Sequence, residues 1–153
     1  MMGTSQGGDS AVHDKAPQKA PLALLAVAWL VPGLGHWLLG KRVRALVFAA
    51  VILCGFMTGA LVGGELGTPR HGEPFSWLAT CACLGNGLLY LIRLLWLNGF
   101  DGLFTPAFPY GLFGGGDPVA AGFVYGNTFL YTAGLMNLLA VLDVSDIARG
   151  EKD

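Results

Sequence analysis

The chain has 153 residues, of which 54% are apolar and 12% charged, about half the charged share of a soluble domain. Formal net charge is −1 and mean hydropathy +0.58. These values exclude a disordered chain and a nucleic-acid binder resting on a general basic field, and they leave too few charges to coat a water-soluble globule.

The class expected is all-α: an integral membrane helical bundle of about four transmembrane helices. Residues 1–20 are polar and rich in glycine and serine, and read as a disordered tail. Asp9 and Asp14 offset Lys15 and Lys19, so no cleaved leader is expected. A transmembrane domain then covers 21–147, with apolar runs over about 21–40, 45–64, 76–97 and 119–142, and a short polar tail follows at 148–153.

The first run is interrupted by Pro32 and Gly33. Proline removes a helical hydrogen bond and clashes with the preceding turn, so a kink or two half-helices are expected there. Pro32, Gly33, Gly35 and His36 form the candidate polar site. His36 has no second ligand at metal spacing, and its expected role is to bond a carbonyl freed by Pro32. As a lone axial ligand for heme or chlorophyll it is too slight a signal, and no cofactor and no metal are expected. The basic stretch Lys41-Arg42-Val43-Arg44 follows. Its charge is nearly balanced by Lys15, Lys19, Arg149 and Lys152 at the termini, which four spans would place on the other side, so the orientation is left open.

Lipid supplies no hydrophobic drive between helices, so close packing depends on small residues. The second run carries Gly55, Gly59 and Gly63 at four-residue spacing, the third Ala79, Cys83 and Gly87, and the fourth Gly122 and Gly126. These are the expected helix-packing residues. Asn86, Asn127 and Asn137 are expected to hydrogen-bond between helices. Cys54, Cys81 and Cys83 read as small packing residues; on a helix the last two point apart and share no metal.

Arg93 lies near the end of the third run, with Trp96 beyond it. The pair is expected to be an interfacial anchor, the guanidinium reaching the headgroups with Asp101 or Asp117 as partner. Asp143 would lie at the opposite side. Residues 98–117 interleave Phe100, Phe104, Phe108, Tyr110 and Phe113 with glycine and proline. They read as an interfacial aromatic loop, anchoring in lipid or docking on a partner. At the chain end Asp143 and Asp146 read as a solvated helix end, with no histidine converging on them.

Residues 31–48, VPGLGHWLLGKRVRALVF, resemble the small two-transmembrane-helix domain family of bacteria, on Gly33, Gly35, His36, Leu39, Gly40 and Lys41. The chain departs from that pattern at Trp37 and Ala45. The ending TAGLMNLLAVLDVSDIARG (132–150) is similar to that of an uncharacterised bacterial multi-pass membrane-protein family with such an N-terminal segment. The resemblance implies fold and membrane location, and no activity.

With no nucleophile, base or metal set in view, no enzyme is expected. The expected function is a structural or interaction role in the bacterial cytoplasmic (inner) membrane, as an accessory subunit of a membrane complex. The partners implied are the lipid bilayer and other membrane subunits or itself, with no nucleic acid. The alternative is an oligomeric small transporter or channel using the broken first helix.

Overall fold

The computed structural model describes residues 20–69, 72, 74–99, 116 and 118–152, with 96–99 as backbone. The expected tail, the aromatic loop with Asp101 and Asp117, and the side chain of Trp96 lie outside the described residues. Every regular element described is a helix: α1 (Leu22–Leu30), α2 (Leu34–Leu38), α3 (Arg42–Leu61), α4 (Pro74–Leu84), α5 (Leu88–Gly99) and α6 (Phe123–Arg149).

α3 and α6 are long and apolar enough to cross a membrane. α4 with the 88–95 part of α5 passes the same test as a pair, bent by 116° at 85–87. In place of about four spans with the first broken, the described residues hold two candidate spans, or three if the bent pair is one span. The run 21–40 is a nine-residue helix, a break at Val31-Pro32-Gly33 and a five-residue helix. Neither piece approaches the roughly 20 residues a bilayer requires. The run 76–97 also breaks, at Gly85-Asn86-Gly87, where Gly87 adopts φ +58°. A broken helical pair followed by a long helix therefore occurs twice along the chain.

α3 and α6 pack antiparallel, with Gly59 against Gly126 and Gly55 against Ala133. A Cβ on Gly59 would sit 2.8 Å from the Gly126 carbonyl oxygen, so the two backbones approach as closely as glycine permits. Gly63 departs from the expected ridge. Its φ of +88° ends α3, and Gly64 takes the place beside Gly126. Beyond it, residues 64–69 run without regular structure, with Leu66 in the core. That core gathers Ile52, Phe56, Leu66, Cys83, Tyr90, Leu130 and Ala133.

The outer surface is apolar. Leu46 (61% exposed), Leu61 (62%), Leu139 (64%) and Leu142 (60%) point away from the protein on the two long helices. Water would not tolerate this belt on a monomer of this size.

Candidate functional site

Three groups of polar side chains lie among these apolar helices. The first closes the two helix breaks. In an unbroken helix the Trp29 carbonyl would accept from residue 33 and the Gly85 carbonyl from residue 89. Asn137 of α6 takes both: its Nδ2 donates to the Trp29 carbonyl at 2.9 Å and to the Gly85 carbonyl at 2.8 Å. Trp29 Nε1 donates to the Leu84 carbonyl at 3.0 Å, and Asn86 Nδ2 donates to the carbonyls of Leu130 (3.0 Å) and Cys83 (3.1 Å). The first break leaves the Trp29 carbonyl to Asn137, and the bond that His36 makes goes to Asp143 rather than to a carbonyl freed by Pro32.

Close backbone approach makes this possible. A Cβ on Gly85 would collide with the Gly134 carbonyl, one on Gly134 with the Ala82 carbonyl, and one on Gly87 with the Trp29 carbonyl. Gly87 therefore serves a break against α1 and is not the end of a continuous stripe with Ala79 and Cys83. Ala79 backs the connecting segment, where a Cβ on Gly67 would stand 2.6 Å from its carbonyl carbon. Sequence reasoning missed Gly85 and Gly134. Gly134 stands two four-residue steps after Gly126, a signal masked by Leu130 between them.

The second group holds the irregular segment 64–67 inside the bundle. Arg93 is fully buried, and its Nη2 donates to the Gly64 carbonyl at 2.8 Å, with the Glu65 carboxylate within electrostatic reach. This corrects the interfacial anchor: the guanidinium turns into the protein, because loop carbonyls there need donors that lipid cannot supply. The Glu65 N–H donates to Asn127 Oδ1 at 2.7 Å, the Gly67 N–H to Cys83 Sγ at 3.3 Å, and the Tyr90 hydroxyl to the Gly67 carbonyl at 3.4 Å. Cys83 is buried in this arrangement, while Cys81 and Cys54 are exposed. A cavity of about 340 Å³ lies beside this segment, lined in part by Glu65, Thr68, Ser76 and Asn127.

The third group lies at the other end of the α3–α6 pair. His36 is 1% exposed, and its Nε2 stands 2.9 Å from Asp143 Oδ2. Its ring stacks at a tilt on Phe48, centroids 4.9 Å apart. Lys152 Nζ donates to Asp143 Oδ1 at 2.7 Å. That hydrogen bond, with the carboxylate's charge behind it, holds the Lys152 ammonium above its ordinary pKa. Asp143 is thus no solvated helix end: a histidine 107 residues away in sequence converges on it.

Two glycines let this end assemble. Gly33 adopts φ +82° with its α-carbon against the Ala45 carbonyl, and a Cβ on Gly35 would stand 2.8 Å from Val144 Cγ2. Pro32, Gly33, Gly35 and His36 therefore turn the chain and seat α2 between α3 and α6. Gly122 packs against Val62 at the far end, where a Cβ would meet Val62 Cγ1.

Among the described residues, no three His, Cys, Asp or Glu side chains gather closely enough to hold a metal ion. No curated protein and no solved structure matches the chain. A family profile does, over residues 23–153, from the first residues of α1 through both helix breaks to the chain end. The chain belongs to that family, a family of unknown function (DUF6677).

Proposed function

We propose that this chain is a small integral membrane protein of the bacterial cytoplasmic membrane, with a structural or interaction role as an accessory subunit of a membrane complex. One observation carries the reading. The polar side chains within the apolar helices, Trp29, Asn86, Arg93 and Asn137, each donate to a backbone carbonyl. They are spent on holding the broken helices and the irregular segment 64–67 in one arrangement, which is the use a scaffold makes of such groups. The exposed leucines and valines around them suit lipid and neighbouring subunits.

The antiparallel α3–α6 pair brings Lys41, Arg42 and Arg44 to the same end as Arg149 and Lys152. With the first run broken, the balance of charges between two sides disappears, and the positive-inside rule assigns this end to the cytoplasm.

The test is gentle solubilisation of a tagged chain, with mass spectrometry of what accompanies it. Stable partner chains at fixed ratio are expected. A lone monomer in every mild detergent would overturn the reading.

The recurrence of a broken pair followed by a long helix favours a second reading, an oligomeric transporter or channel. Discontinuous helices in corresponding positions of two halves build ion sites from their freed carbonyls. Asn86 Oδ1 and Asn137 Oδ1 are buried beside the two breaks and accept no hydrogen bond among the described residues. Cation flux into liposomes that Asn137→Ala abolishes would decide for it.

A further inference from the structure

The seam between α3 and α6 has a flank that shares Phe48, Asp143 and Lys152 with the third polar group and is otherwise apart from the three. At its basic end is a cavity of about 380 Å³ lined by Val43, Arg44, Val47, Phe48, Asp143 and Lys152. Further along is an apolar groove of about 440 Å³, whose lining includes Ala50, Cys54, Thr58, Phe129, Thr132 and Met136. The two lie on one flank. On α3, residues 43, 47, 51, 54 and 58 succeed one another at three- or four-residue steps, and on α6 residues 129, 132, 136 and 143 keep the same register.

The charges at the top of this flank are unbalanced. Asp146 and Glu151 are paired with Arg149, and Asp143 is shared by Lys152 and His36. Among the described residues Arg44 makes no ion pair, and it lines the same cavity as Lys152 and its partner Asp143. An anion held between the two cations would give Arg44 the partner it lacks there. Below them the lining is mostly apolar and includes the small residues Ala50, Gly55 and Ala133. The rise from Arg44 to Thr58 is about 21 Å at 1.5 Å per residue, enough to cover one leaflet of a hydrocarbon core about 30 Å thick.

We propose that this flank is a binding site for one anionic phospholipid, with its phosphate between Arg44 and Lys152 and one acyl chain along the groove from Val47 to Thr58. Charge complementarity selects this occupant. The cytoplasmic leaflet, which faces the basic end, is the anionic one. The inference rests on the membrane placement proposed above and on no particular partner.

The experiment uses the full chain, purified in mild detergent and offered phosphatidylglycerol or phosphatidylcholine with identical acyl chains. Lipid retention is read by native mass spectrometry and stability by thermal melting. Phosphatidylglycerol is expected to be retained and to raise the melting midpoint, and phosphatidylcholine to do neither. Arg44→Gln lowers retention roughly five- to tenfold, and Arg44→Lys restores most of it. Ala50→Phe fills the groove and lowers retention with the cations intact. Both positions are exposed, and melting without lipid checks that each variant is folded.

Equal retention of the two lipids, or no effect of Arg44→Gln in a folded chain, overturns the proposal. So does inorganic phosphate alone if it protects as well as the lipid. Oxidative cross-linking of Cys54 to Cys54, in a Cys81→Ser background and with phosphatidylglycerol present, would show a second copy in the groove and also overturn it. A chain that stays dispersed as a compact monomer without surfactant would instead overturn the membrane placement itself.

Discussion

At the scale of single residues, Asn137 carries more of the architecture than any charged group. Its amide nitrogen satisfies two carbonyls that broken helices leave open. Removing it strands a buried acceptor at Gly85 and a part-buried one at Trp29. Asn137→Ala is expected to cost about 1–2 kcal/mol and lower the melting midpoint in detergent. Asn127→Ala, which removes one acceptor from the Glu65 N–H, is expected to cost less in the same assay. His36 and Asp143 show a different dependence. His36→Phe keeps the contact with Phe48 and removes one of the two partners of Asp143, so a modest destabilisation is expected; because the remaining Lys152 pair is exposed, His36→Phe combined with Asp143→Asn should cost little more than the first change alone. A double-mutant cycle on the melting curves checks this.

At the scale of elements, glycine and proline act differently at the first break. Pro32 removes one donor, but Gly33 holds a positive φ with no room for a Cβ against Ala45. Gly33→Ala is therefore expected to destabilise by several-fold more than Pro32→Ala, which leaves the turn in place. Comparative melting of the two variants tests the ranking.

The first break was legible because proline advertises itself in sequence. The second was not. Gly85-Asn86-Gly87 sits inside a run whose average hydropathy reads as one span, and Asn86 looked like a bond between continuous helices. The same limit applied to Arg93. Its distance from the end of the run pointed outward, while the loop carbonyl that captures it belongs to Gly64, 29 residues earlier. Hydrophobic patterning reports which surfaces are apolar. It does not report which backbone acceptors a fold leaves open, and those acceptors decide where intramembrane polar side chains go. Gly59 and Gly126 were legible for the converse reason: small residues at four-residue spacing state their packing locally.

At the scale of the molecule, the charges of α2–α3 and of the C-terminus meet at one end, although they are distant in sequence. A reporter fused after residue 153 is expected to lie in the cytoplasm, and a cysteine introduced at Lys152 to react with impermeant maleimide only after the membrane is opened. Reaction from outside intact cells would reverse the orientation. The apolar belt over α3 and α6 also predicts that the chain requires detergent or lipid throughout purification.

The clasp that Asn137 places on Trp29 and Gly85 has a dynamic consequence. Two hinges that could swing independently share one nitrogen, so opening either strips the other of its restraint. Deuterium uptake at 28–34 and at 84–90 should rise and fall together, and an Asn137 variant should accelerate both to the same degree, as a single cooperative unit. Exchange that quickens at one hinge while the other stays protected would mean that the two halves of the chain move on separate pivots.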